Sequence, residues 1–306
     1  KAIPGKSTMA ILECLVLEVK DNIIKLIAND LEIGIETIID GQIIEEGSVA
    51  INAKVFFEII RKLPSDEVTI SVDDNYVMNI SGGKAKFNIS AKPTEEFPFL
   101  PQIVKNNNIT ISQFSLKEVI RQTVFSISDN ENTKVMTGEL FEVKGNKLKV
   151  VSLDGHRISI RNIELKNSYD EVSVIIPGKT LIEISKILNG GMDDDVNIYF
   201  TDKHALFEFE NTIVLSRLIE GEYYKIDKML SSDYETKLTV NKKEMLDCID
   251  RTTLLIKESD KKPVIIDIKD DSMGFNMHSS IGSMDEEISA TKEGKDILIG
   301  FNPRFL

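Results

Sequence analysis

LEVKDNIIKLIANDLEIGIE, residues 17–36, and FEVKGNKLKVVSLDGHRISI, residues 141–160, decide the architecture of this 306-residue chain. Glu18-Val19-Lys20 matches Glu142-Val143-Lys144 at an offset of 124 residues, and Asn22 matches Asn146 and Asp30 matches Asp154 at the same offset. A fainter copy, IDIKDDSMGFNMHSS, begins at Ile266 and lays Val19-Lys20 on Ile268-Lys269, an offset of 249. A second block agrees. AINAKVFFEIIRKLP (50–64) resembles IIPGKTLIEISKILN (175–189), and IGFNPRFL (299–306) begins the same way, with Lys54, Lys179 and Arg304 spaced by 125. Two independent blocks at nearly one period predict three similar domains of about 125 residues each.

The predicted boundaries are 1–107, 108–231 and 232–306, with the polar segments PQIVKNNN (101–108) and SSDYE (231–235) as linkers. The period also predicts chain beyond both ends. The first domain lacks the counterpart of a helix that opens the second near Ser115, and the third is short by roughly 50 residues after Leu306.

Each repeat is predicted to hold two helices and several strands. In SLKEVIRQTVFSIS (115–128), Leu116, Val119, Ile120, Val124 and Ile127 give a helical apolar face, and Ser115-x-x-Glu118 reads as a capping box. Asn241 to Ile256 is the counterpart in the third domain, with Asn241-x-x-Glu244 at its start and Met245, Ile249 and Ile256 facing inward. The second helix type follows Asn52 or Pro177 and stops at Leu63-Pro64 or Asn189-Gly190-Gly191. Asp21-Asn22, Asp74-Asn75, Ser81-Gly82-Gly83 and Gly145-Asn146 punctuate alternating segments as hairpin turns. The expected class is α+β, with helices on one face of antiparallel sheets.

Composition narrows the function. With 42% hydrophobic and 28% charged residues, the chain reads as a soluble globular protein. Its apolar runs are strand-sized, such as Val174 to Pro177, against the roughly 20 residues a membrane span needs. The N-terminus has no apolar signal region, and Cys14 and Cys248 read as small buried residues of a reducing cytoplasm. A net charge of -13 argues against coating nucleic acid with the whole surface, while leaving room for a local basic face.

Such a face is predicted. Lys54 and Arg61 lie two helical turns apart, Lys179 and Lys186 repeat that spacing, and Lys117 and Arg121 are i,i+4 on the other helix type. Glu58 and Glu183 are placed to pair with them locally. Domains in a row would align these faces into a strip able to follow phosphates without reading sequence.

VSLDGHRISI (151–160) holds Ser152, Asp154 and His156 within five residues. Catalytic triads assemble from distant segments, whereas these three share one strand and turn. The aligned first repeat has Ala28, Asp30 and Glu32, which fits a repeated turn lacking the serine and histidine. PGKT (177–180) lacks the first glycine of a phosphate loop, because that position is Ser173. His156, His204 and His278 are scattered, so no metal site is expected, and no cofactor.

LFEVKGNKLKVVSLDGHRISI, preceded by Met136-Thr137-Gly138, resembles the middle domain of the bacterial sliding-clamp family, the beta subunits of DNA polymerase III. DLEIGIE (30–36), GSVAINAKVFFEIIRKLP (47–64) and EEFPFLP (95–101) resemble its first domain. The resemblance implies three domains of the DNA-clamp fold, antiparallel sheets outside and helices lining the inner face. It implies a cytoplasmic, non-catalytic homodimer ring that encircles double-stranded DNA independently of sequence. The ring would tether the replicative polymerase, clamp loader, repair polymerases, ligase and mismatch-repair proteins through short linear motifs. By position it implies a peptide pocket of Met136, Leu153, Gly155, His156, Arg157, Ile158, Tyr224, Lys228 and Met229. The family more often has Thr at Leu153, Pro at Tyr224, Arg at Lys228 and Val at Met229, substitutions that keep the pocket apolar and alter its shape. Lys6, Lys134, Lys179 and Lys186 match DNA-facing positions, and Lys54, Arg61 and Lys117 join them through the repeat. A hydrolase built on His156 and Asp154, or a scaffold that binds proteins but not DNA, are the competing readings.

Overall fold

The structure is a computed structural model that describes residues 2–4, 7–106, 108–230, 233–256 and 262–306. Lys6, Asn107 and the start of the second linker, Ser231-Ser232, lie outside the described residues. The chain forms two compact units, Lys1–Tyr223 and Tyr224–Leu306.

The first unit opens with β1 (Cys14–Lys20), β2 (Ile23–Asn29), β3 (Ile33–Ile39) and β4 (Gly47–Asn52), then α1 (Ala53–Lys62) and β5 (Thr69–Val72), β6 (Val77–Gly82) and β7 (Ala85–Lys92). It continues through β8 (Asn108–Ser112), α2 (Gln113–Thr123), β9 (Gly138–Leu153), β10 (Ile158–Pro177), α3 (Gly178–Ile187), β11 (Asp195–Phe200), β12 (His204–Phe209) and β13 (Thr212–Arg217). The second unit holds β14 (Thr236–Val240), α4 (Lys242–Thr253), β15 (Val264–Lys269), β16 (Ser272–His278), β17 (Ser283–Gly294) and β18 (Ile297–Phe301).

Strand order repeats as the sequence does. In the first repeat it runs β4-β1-β2-β3, and in the third β18-β15-β16-β17. The second repeat builds the same frame from two long segments. Val143 pairs with Val172 in β10, yet Lys147 pairs with Glu164. Lys149 and Glu142 sit 3.5 Å apart. A straight strand rising about 3.3 Å per residue would separate them by roughly 23 Å, so β9 folds back on itself. The fold-back is centred on Gly145-Asn146, where Gly145 has φ 59°. It is the hairpin expected there, and it matches the Asp21-Asn22 turn, whose two residues have φ 51° and 59°.

The first two repeats fall in one unit because β3 pairs with β13, from Ile33 opposite Ser216 to Thr37 opposite Thr212. That pairing joins them in one 11-stranded sheet. All pairings between described strands are antiparallel.

Helices cover the sheets through narrow apolar stripes. Phe56 and Ile59 of α1 bury against Val49, Ile51, Met78 and Ile80. Leu116, Val119 and Ile120 of α2 and Leu181 and Ile184 of α3 pack on a common core with Phe141, Val150 and Phe207. Cys248 and Ile249 of α4 pack on Ile266 and Phe275. Each such side chain contributes about 1.5–3 kcal/mol on leaving water.

Asn52 and Pro177 stand at the N-caps of α1 and α3, as expected, and Asn52 accepts from the Val55 amide at 3.0 Å. Three local expectations are corrected. The cap of α2 is Ser112, whose hydroxyl accepts from the Ser115 amide at 3.2 Å, while Glu118 pairs with Arg121 at 2.7 Å. The helix therefore starts earlier than Ser115. It also stops earlier than Ser128, at Thr123, because a β-branched Thr-Val pair weakens it and the Thr123 carbonyl accepts from Ser152. Likewise α4 ends at Thr253, and i→i+3 bonds carry the chain on to Ile256.

Candidate functional site

The conspicuous segment, Asp154 to Arg157, is the turn between β9 and β10. Asp154 Oδ1 accepts from the amides of His156 (2.9 Å) and Arg157 (3.1 Å), and Oδ2 accepts from Arg157 Nε at 2.9 Å. Gly155 carries φ 87°, a region that suits glycine, and a Cβ there would meet nothing within 4 Å. Burial acts to raise the Asp154 pKa, and the two amides and the guanidinium outweigh it, so the carboxyl stays below its ordinary range. The Arg157 guanidinium also lies over the exposed ring of Phe125, 5.5 Å from its centroid.

The same turn recurs. Asp30 Oδ1 accepts from Glu32 (3.0 Å) and Ile33 (2.8 Å), and Leu31 takes φ 74° although it is not glycine. In the third repeat Ser279 Oγ accepts from Ile281 (3.1 Å) and Gly282 (3.4 Å). Each acceptor's own amide bonds the carbonyl three residues on, at 3.1, 3.4 and 2.9 Å in chain order. A side-chain acceptor capping its own turn is thus a property of the fold.

Ser152 has no part in a triad. It is fully buried, and its hydroxyl proton goes to the Thr123 carbonyl 2.5 Å away. Its counterpart Ala28 is also buried.

The predicted pocket residues divide between the two units. On the first, Leu153 is buried, Met136, Arg157 and Ile158 are half-buried, and Gly155 and His156 are exposed. The Met136 carbonyl accepts from the Ser128 amide at 2.8 Å, which ties it to the segment that follows α2. On the second, Tyr224, Lys228 and Met229 are all exposed around a short helical turn, Ile226–Lys228, anchored by buried Ile226. Tyr224 and Met229 remain 38% and 50% accessible, enough apolar surface to serve a ligand.

Most of the predicted basic strip is already matched with acid. Arg61 meets Glu58 at 2.7 Å and Lys186 meets Glu183 at 2.9 Å, the local pairing expected. Lys179 meets Asp30 at 2.8 Å, whose side chain is only 6% accessible, so this pair joins the first two repeats. The hydrogen bond to Asp30 raises the Lys179 pKa. On Asp30, burial works upward, while Lys179 and the turn amides prevail and lower it. Lys117 donates to the Leu188 carbonyl at 2.9 Å. Lys54 and Lys134 are exposed and have no acidic partner among the described residues.

Sequence reasoning missed Phe125, the Asp30–Lys179 pair, the buried Glu139 and the half-buried Tyr223. The repeat held the signal for Glu139, because the aligned positions are Leu15 and Val264.

Comparison with known proteins agrees with this architecture. The family models for the DNA polymerase III beta subunit match in order: the N-terminal domain over residues 1–101, the central domain over 110–225 and the C-terminal domain over 227–306. The beta sliding clamps of Staphylococcus epidermidis and Staphylococcus aureus are 33% identical over 100% of this chain and 84% of their own length. Among solved structures, a putative DNA polymerase III beta subunit from Eubacterium rectale is 61% identical with a TM-score of 0.97, over 99% of this chain and 83% of that one. The DNA polymerase sliding clamp of Bacillus subtilis is 34% identical with a TM-score of 0.95 over the same shares. A turn that recurs three times in one strand order, and three consecutive domain matches at this identity, place the chain in the DNA polymerase III beta-subunit family, the beta sliding clamps.

Proposed function

We propose that this chain is the DNA sliding clamp of a replicative polymerase and acts as a non-catalytic accessory subunit. Its three clamp domains are 1–107, 108–231 and 232–306, helices inward, and two subunits close a ring around double-stranded DNA in the cytoplasm. No helix among the described residues is long and apolar enough to cross a membrane.

The observation that carries the non-catalytic reading is the threefold recurrence of the turn. Asp154 does for its repeat what Asp30 and Ser279 do for theirs, so its carboxylate serves backbone geometry. That leaves His156, Arg157 and the neighbouring apolar side chains as a presenting surface for a peptide. The proposed set, Met136, Leu153, Gly155 and Ile158 of the first unit with Tyr224, Lys228 and Met229 of the second, combines apolar side chains with a few polar anchors, the composition peptide recognition calls for. Partners are the replicative polymerase, clamp loader, repair polymerases, ligase and mismatch-repair proteins, each through a short linear motif. No cofactor is needed.

The cations Lys6, Lys54, Arg61, Lys117, Lys134, Lys179 and Lys186 supply the DNA-facing charge. Several are internally paired, which fits a loose grip that permits sliding. The test is topological. The protein is loaded onto nicked circular DNA by its clamp loader, and the circle is then cut once. Retention before the cut and rapid loss after it is the expected result. Equal retention on circle and line overturns the ring.

A further inference from the structure

Glu139 occupies a place that the other repeats fill with an apolar residue. It pairs with Ile176 as Leu15 pairs with Ile51 and as Val264 pairs with Phe301. Glu139 is fully buried, and its Oε1 has no hydrogen-bond partner among the described residues. Its Oε2 lies 3.1 Å from Thr123 Oγ1 at the end of α2. Thr123 has one hydroxyl proton, and the Val119 carbonyl at 2.8 Å accepts it. That single proton cannot fully serve the carbonyl and Glu139 Oε2 together, whereas a protonated carboxyl, donating to Thr123 Oγ1, completes both bonds.

The surroundings agree. Among the described residues no cation acts on Glu139, and the titratable group that faces it across the packed elements is the Tyr223 phenol. That phenol is itself held neutral by burial first, and by the Glu139 charge once that carboxyl ionises. Burial pushes the Glu139 carboxyl up to about 8. The same Thr123 receives the Ser152 hydroxyl on its carbonyl, two residues before Asp154. Two bonds from the β9 hairpin thus converge on one residue of α2.

We propose that Glu139 is a positioning residue: as a neutral acid it latches the end of α2 to the hairpin that carries the Asp154 turn, and its ionisation releases the latch. The proposal stands on the first unit alone and does not depend on peptide docking. The closed state holds a proton that the opened state gives up above the ordinary value of 4.5. Closure is therefore complete at low pH and is lost as pH rises toward the folded-state value of about 8.

Hydrogen exchange on residues 138–157 of the full chain, at pH 6 and pH 8, tests this against Glu139→Gln, which stays neutral throughout. The ratio of the two proteins cancels base-catalysed exchange. Opening of the unsubstituted chain relative to Glu139→Gln is expected to rise about fiftyfold between the two pH values. A carbon-13 titration of the Glu139 carboxyl is expected to report a midpoint near 8. A flat ratio, or titration in the ordinary carboxylate range, overturns the proposal. If Glu139→Gln does not fold, the carboxyl titration of the unsubstituted chain decides it alone.

Discussion

Replacing Asp154 tests the reading of the site most directly. Asp154→Ala removes one acceptor oxygen from two backbone amides and a second from a guanidinium. Each amide bond contributes about 1 kcal/mol net. The Arg157 pair, with side chains 27% and 12% accessible, adds about 0.5–1 kcal/mol. The sum is roughly 2–3 kcal/mol, a large share of the ~5–15 kcal/mol that holds a typical domain. Asp154→Ser is expected to retain most of the amide part, because Ser279 caps the equivalent turn with one hydroxyl. Asp154→Asn keeps Oδ1 and loses the ion pair, at a cost of about 1 kcal/mol or less. Urea unfolding followed by circular dichroism reads the order. With m near 2–3 kcal/mol/M, Asp154→Ala moves the midpoint down by about 1 M. The reasoning is refuted if Asp154→Ser is as damaging as Asp154→Ala, or if Asp154→Ala costs nothing.

The other predictions use the same turn and the basic helices. Gly155→Ala is expected to lose about 1–2 kcal/mol through its left-handed φ alone, since space is open around it; a urea midpoint equal to that of the unsubstituted chain counts against this. The lowered carboxyl values of Asp30 and Asp154 give stability that is present above their unfolded value of 3.8 and is lost as pH falls below it. Asp30→Asn should accordingly flatten the acid limb of a melting-temperature profile and leave the neutral region lower. Lys54→Ala should reduce the salt dependence of DNA binding by close to one unit of slope. Lys186→Ala should change it less, because Glu183 already neutralises that lysine; equal effects would contradict the pairing argument.

What the sequence made legible was local or periodic. The caps at Asn52 and Pro177, the Asp21-Asn22 and Gly145-Asn146 turns and the shared strand order all follow from short-range chemistry repeated at one spacing. The choice between Ser112 and Ser115 as cap was missed because both fit the local pattern, and the pairing of β8 with β11 decides where the strand ends. The β3–β13 junction was invisible, since strand pairing between repeats leaves no mark on either strand's alternation. The Asp30–Lys179 pair joins residues 149 positions apart, and only the fold brings them together. At the site, the turn was legible through its repeat. The residues at Tyr224, Lys228 and Met229 were named by family resemblance alone, having no periodic or local signal of their own.

The three turns also show how one frame acquires different uses. Capping needs a single oxygen, which accepts from two amides in each repeat. A carboxylate brings a second oxygen that the cap does not use. In the first repeat that oxygen holds Lys179 and so ties two repeats together. In the second it holds Arg157 Nε and fixes a guanidinium over Phe125 at the surface. In the third the residue is serine, with no second oxygen to offer, and the turn is capped and nothing more. Aspartate at this position is therefore informative beyond the turn it makes. It marks the repeats in which the turn also grips a cation, and in the second repeat the gripped cation is one of the residues proposed for peptide docking. Asp154→Asn separates the two uses: the turn should keep its protected amides while Arg157 loses its fixed orientation. A fall in peptide affinity with unchanged amide protection would place the second oxygen in recognition, and a loss of protection in step with affinity would return Asp154 to the backbone alone.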